Sequence, residues 1–346
     1  MGAIAIAEPS CPASCRASTS SCHSERKTWM AATSAAMTLL LLMILTTSGT
    51  HAAETLRVGK AQANQFAFVP ADVGIEEGLF KKHGIDLDVS VFAGDAKMTQ
   101  ALTAGSLDVA LGGCPSFQAI AKGAPMKAVA VFSGAPNIIM LVVLKDGPLK
   151  TAEDLKGRKV SVSTAGSLTF WLTQQLSRRL GWGDDGIAIT PLGASEAQIA
   201  ALMTHQIDGV TTDSVTVYKF VETGSGRVLL KYGDYFKDFD SSCIYASDNL
   251  IQSKPDALRA FLAAWFETIA YMRDHRQASI DITVKQISVS PGVAAAIYDD
   301  TMPVMTLDGH FNPKALDLLA SSFVDMHLLP DKPDMSKFYT EAFLPK

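Results

Sequence analysis

Cysteine is scarce in this chain of 346 residues, and three of the five, Cys11, Cys15 and Cys22, fall in an amino-terminal stretch set apart from the rest. That leaves Cys114 and Cys243, which are free to pair in an oxidising compartment although nothing local demands it. No cysteine closes the apolar run "MTLLLLMIL", so the pattern of a lipid-anchored protein is missing. The run itself is short, about half the ~20 residues of a spanning helix. Arg26 and Lys27 precede it and "GTHA" follows, which reads as a secretory signal cleaved after Ala52; a retained anchor is the alternative. No run of basic residues occurs, which argues against a nucleic-acid partner. Removing residues 1–52 takes away Arg16, Arg26, Lys27, Glu8 and Glu25, so the formal charge goes from −5 to −6. Catalytic signatures are absent as well. There is no Gly-x-Ser-x-Gly elbow, no phosphate-loop lysine motif and no His-Glu-x-x-His pair, and "TGSGRV" lacks a third glycine and a preceding strand.

What is present is a repeated unit. "LTAGSLDVALGG", residues 102–113, returns as "LMTHQIDGVTTD" at 202–213. From Leu56 onward, short apolar strands alternate with capped helices, a grammar that predicts mostly parallel sheets covered on both faces. Asp95 is expected to cap "AKMTQALTA", and Ser195 to cap "EAQIAALMT" with Gln198 completing a box. The rhythm breaks at "NIIMLVVLKD" and again at "SSCIYASDN", so the chain crosses to a second unit and comes back. The helix "PDALRAFLAAWFETIAYMRDH" carries Leu258, Phe261, Leu262, Trp265, Ile269 and Met272 on one stripe, a pattern of core packing. The expected fold is therefore α/β with two lobes, residues 53–140 opening lobe 1, 141–242 forming lobe 2, and 243–346 returning to lobe 1. Two crossovers would make the hinge, with a ligand cleft at the carboxyl ends of the strands.

The stretches "FVPADVGIEEGLFKKHGIDLDVSVFAGDAKMTQALTAGSLDVALGG" and "EDLKGRKVSVSTAGS" carry a resemblance. They are similar to periplasmic solute-binding proteins of the nitrate/sulfonate/taurine type, the SsuA/THI5-like domain family, which also includes pyrimidine-precursor binders and a thiamine-pathway enzyme. The resemblance extends over about Leu56 to Phe343. It implies a type II periplasmic binding protein, monomeric, that closes on a small molecule and delivers it to the permease and ATPase of an ABC importer. The thiamine-pathway enzyme's cysteine-rich iron motif is missing here, so neither a metal, a cofactor nor catalysis is expected; a sensor on the same fold is a rival that sequence does not separate from transport.

Four loops would face the cleft. Gln62, Asn64 and Gln65 follow the first strand and supply amide donors and acceptors, with Phe66 beside them to stack on a ring or to join the core. Gly113 and Cys114 follow the repeated strand of the first unit. Ser163, Thr164 and Ser167 form the best anion cradle at a helix start, where Gly166 allows a close backbone approach; one of these hydroxyls is expected to be an ordinary cap. Thr212 and Asp213 follow the repeated strand of the second unit, and Asn137 stands at the first crossover as hinge or contact residue. The family and the Ser/Thr turn favour an oxyanion such as a sulfonate, taurine or nitrate. Asp213 and Phe66 favour the alternative, a pyrimidine-like or cationic heteroaromatic solute.

Overall fold

A computed structural model of the protein describes residues 53–63, 65–325 and 328–346. The expected signal segment and Asn64 lie outside the described residues. Ten strands run in chain order: β1 (Glu54–Lys60), β2 (Ile85–Val91), β3 (Val109–Gly113), β4 (Met126–Ser133), β5 (Ile139–Leu144), β6 (Lys159–Val162), β7 (Ala188–Pro191), β8 (Gly209–Asp213), β9 (Gly226–Lys231) and β10 (Ser242–Ser247). They form two five-stranded sheets, ordered β2-β1-β3-β10-β4 and β7-β6-β8-β5-β9. In each sheet four strands point one way and one opposes them, β10 in the first and β5 in the second. Each opposing strand is the one laid down as the chain arrives from the other lobe, so the two lobes share a plan and exchange one strand.

The repeat has a structural cause. Asp108, just before β3, accepts hydrogen bonds from the backbone and side chain of Arg57 at 2.9 and 3.0 Å. Its counterpart Asp208, just before β8, accepts from the backbone N–H of Lys159 at 2.8 Å. The aspartate of "LDV" and "IDG" thus pins the repeated strand to its parallel neighbour in both lobes. Ahead of it the chain turns through a left-handed residue, Gly105 at φ 74° in the first unit and His205 at φ 57° in the second. Glycine adopts that conformation freely, whereas histidine is strained there.

The stripe on the helix Pro255–Asp274 is wholly buried, and Trp265 sits between Phe132 and Phe261 in the core of lobe 1. Burying such side chains contributes roughly 1.5–3 kcal/mol each. No helix among the described residues is long and apolar enough to cross a membrane.

Two expected caps are differently made. Gly94 and Ala194 are the cap residues, and Asp95 and Ser195 are the first residues inside their helices, Asp95–Thr103 and Ser195–Met203. Their side chains are therefore released from capping. Ser195 bonds Thr212 at 3.2 Å, and Asp95 reaches across to the facing lobe.

Candidate functional site

The lobes meet at the carboxyl ends of β1, β3, β6 and β8, as the alternation of strands and helices requires. Because β5 and β10 run the other way, they present their first residues, Ile139 and Ser242, at the same edge. Between these tips lies a chamber of about 20 Å³, lined by Gln62, Gln65, Asp95, Gly113, Ser163, Thr169, Asp213 and Ser242 with Ala61, Ile139 and Leu168. The tips face one another as expected, but the space is far smaller than a metabolite and has room for about one water molecule.

The Asp95 carboxylate accounts for that. It accepts from the N–H of Gly113 in its own lobe at 2.7 Å, and the N–H of Leu168, the first residue of the lobe 2 helix Leu168–Arg179, lies near enough to favour its charged form. A protein carboxylate therefore occupies the helix start that the sequence offers as an anion cradle. Burial pushes the Asp95 carboxyl above the ordinary range, and the N–H groups of Gly113 and Leu168 only partly oppose this. Across the chamber Asp213 is also buried and also raised, again by burial. Its oxygens accept from the N–H and hydroxyl of Thr216 at 3.0 and 2.9 Å and from Thr212 at 3.2 Å, so it caps the helix Ser214–Glu222. No lysine, arginine or histidine lines the chamber among the described residues.

The cradle residues divide. Ser163, Ser167 and Thr169 bond one another in a triangle with 3.0 Å sides, and Ser167 is the helix cap, accepting from Phe170 N–H at 3.2 Å. Ser163 alone of the three expected residues lines the chamber. Thr164 turns instead to the opposite lobe, against Gly94, where a Cβ would lie 2.5 Å from Thr164 Cγ2. The close approach at Gly166 belongs to Gln118 of lobe 1, whose Nε2 donates to the Gly166 carbonyl at 2.7 Å.

Four expected contact residues lie elsewhere. Cys114 forms a fully buried disulfide with Cys243, so its thiol offers nothing to a solute. The bond does shape the site indirectly, since Gly113 pairs with Ser242 in the β3–β10 ladder and each neighbours one of the cysteines. Phe66 is fully buried, edge-on to Tyr298 at 6.2 Å, and belongs to the core of lobe 1. Asn137 packs against Gly233 and does not line the chamber. Thr212 is buried behind Asp213 and orients it.

Sequence reasoning missed Asp95, Thr169, Ser242 and Ile139. The missed signal for Asp95 was its offset: it stands 100 residues before Ser195, at the same place in the repeated unit.

Closure involves more than the chamber. On the far side, the Tyr218 hydroxyl donates to Asp300, Lys231 pairs with Asp300 at 3.1 Å, and Lys219 Nζ donates to the Ile287 carbonyl at 2.8 Å. Burial and the Asp300 carboxylate together push the Tyr218 phenol far above its usual range.

The sequence profile described as NMT1/THI5 like matches residues 65–279. The chain belongs to the NMT1/THI5-like family. Among relatives of this family member, a binding protein of Brucella abortus (strain 2308) is 27% identical over 277 residues, covering 77% of this chain and 84% of that one. A protein of Escherichia coli (strain K12) named for binding aliphatic sulfonates is 27% identical over 246 residues, 70% of this chain and 76% of that one. The fold matches that of the alkanesulfonate-binding protein SsuA from Xanthomonas axonopodis pv. citri, solved with MOPS bound, at a TM-score of 0.72. That match has 19% identity and covers 84% of this chain and 99% of that one.

Proposed function

We propose that this protein is the periplasmic solute-binding component of an ABC importer. On this reading residues 53–140 and 243–346 make one lobe and 141–242 the other, and the protein is exported through a cleaved signal. It captures a small polar solute between the lobes, without chemistry, and presents it to a permease and an ATPase. The observation that carries the reading is the meeting of both lobes' strand tips at one chamber, which Asp95 and Gly113 line from one lobe and Ser163, Leu168 and Asp213 from the other.

The chamber's charge favours a solute whose recognised end carries N–H or ammonium donors. Two buried carboxylates and no lining cation would repel a bare anion such as nitrate and reward a donor. Hydrogen bonds to a charged group are worth roughly 1.5–3 kcal/mol each, so losing one of these carboxylates should weaken such a solute about tenfold or more. Because burial raises both carboxyls, a cation binding there displaces protons, and its affinity rises with pH through the acid range.

One observation favours a sulfonate instead. The start of the Leu168 helix already holds an anion, the Asp95 carboxylate, and a sulfonate could replace it when the lobes open. The two readings part at Asp95→Asn, titrated calorimetrically with methylammonium, 4-aminopyrimidine, methanesulfonate and taurine. The donor reading expects the first two to bind the native protein and to weaken in the variant. Binding of methanesulfonate that strengthens in Asp95→Asn would overturn it in favour of the sulfonate. Silence from every solute would remove support for solute capture itself.

A further inference from the structure

The contacts between the lobes on the far side share a pattern of charge. Lys219, on the lobe 2 helix Ser214–Glu222, donates at 2.8 Å to the carbonyl of Ile287, the last residue of the lobe 1 helix Arg276–Ile287. Glu222, at the end of the same lobe 2 helix, accepts from the Ser290 hydroxyl at 2.9 Å. Ser290 in turn caps the next lobe 1 helix, Pro291–Thr301, accepting from the Val293 N–H at 3.3 Å. A cation thus meets the negative end of one helix dipole, and a carboxylate the positive end of the next. Lys231 against Asp300 at 3.1 Å is a third pair of opposite charges across the same boundary. None of these residues lines the chamber, so none touches a solute held there. The two helices that carry them nevertheless reach it. Asp213 caps the Ser214–Glu222 helix, and Tyr298 of the Pro291–Thr301 helix packs on Phe66, next to Gln65.

We propose that these three pairs form an electrostatic clasp that holds the solute-free protein shut, and that ionic strength sets how often it parts. The shut chamber has room for about one water molecule, so a solute enters only when the clasp has parted. The side chains of Lys231 and Asp300 keep 40% and 30% of their exposure, so the pair stays open to solvent and salt screens it. Each contact is weak alone, but all three break in one motion, and their effects multiply in the ratio of closed to open protein. The inference goes beyond solute capture: it concerns the empty protein and holds whatever the solute.

The test is small-angle X-ray scattering of the mature, disulfide-bonded protein without solute. Raising sodium chloride from about 0.1 M to about 1 M shortens the screening length from about 10 Å to about 3 Å, and the native radius of gyration should grow. Lys219→Met combined with Asp300→Asn removes two of the three pairs. That double variant should lower the ratio of closed to open protein about tenfold, so the larger radius is reached already at the lower salt and responds little to more. Should it fold poorly, Glu222→Gln combined with Lys231→Met also removes two pairs and is expected to behave alike. Asp299→Asn is the control. Its carboxylate pairs with Arg276 at 2.8 Å within lobe 1, on the same helix as Asp300, and its loss should leave the native radius and salt response in place. A radius equal in the native protein and both double variants at both salts would overturn the clasp, and so would an Asp299→Asn protein that expands as much as they do. The measurement needs no solute, so its outcome is separate from that of the solute titrations.

Discussion

Replacing both Cys114 and Cys243 with alanine removes a cross-link between positions 129 residues apart in sequence. In the loop-entropy description, opening a loop of that length frees the unfolded chain by about 5 kcal/mol at 25 °C. The native state resists part of that loss. Cys243 lies in β10, which pairs along its length with β3 and β4, so the ladder holds the strand in place without the sulfurs. Both sulfurs are fully buried, and two alanines leave a small cavity at each site, which costs a little more. A loss of about 3–5 kcal/mol is expected in guanidinium unfolding of the mature protein, with a steeper denaturant slope because the uncross-linked unfolded chain exposes more surface. The native protein unfolded with a reductant present should fall to the same stability. Solute affinity should fall as well, because Gly113 and Ser242, the paired residues next to the cysteines, line the chamber. A change below about 0.5 kcal/mol in both experiments would refute the assignment of this bond as a major restraint on the unfolded chain.

Much of this architecture was legible because it follows from period and repetition. Strands alternating with helices give mostly parallel sheets, and the "LDV" and "IDG" pair mark β3 and β8. The site was legible only where the rule of carboxyl strand ends applies, at Gln62, Gln65, Gly113, Ser163 and Asp213. Ile139 and Ser242 escaped because β5 and β10 oppose their sheets and bring amino ends to the same edge. Asp95 escaped for another reason. An aspartate at a helix start reads as a cap, and only the three-dimensional approach of Leu168, 73 positions later, gives its carboxylate a second use. Cys114 misled because loop position says nothing about which way a side chain points; it points into lobe 1, and Phe66 takes the core alternative of its two readings.

Asp240, in the returning crossover, is buried, and its carboxyl is pushed up to about 7 by desolvation, against the single N–H of Asn312. The folded protein holds that proton more tightly than the unfolded chain, so stability should fall, by no more than about 4 kcal/mol, as pH rises from 4 to 7. Asp240→Asn should flatten that part of the pH profile; an unchanged slope would refute the assignment. His205→Gly relieves a left-handed histidine where the first unit already has Gly105 and should stabilise by about 1 kcal/mol; thermal unfolding that shows a loss would count against strain there. The last prediction concerns closure. Gly94→Ala sets a Cβ 2.5 Å from Thr164 of the facing lobe at a backbone φ of 111°, so the variant suffers both local strain and a wedge between the lobes. Only the wedge disappears when Thr164→Ala is added. The double-mutant cycle should therefore return a coupling of about 1 kcal/mol or more, and the single variant should show a larger radius of gyration in solution scattering. Strictly additive stabilities with unaltered scattering would mean that the lobes do not press together at this point.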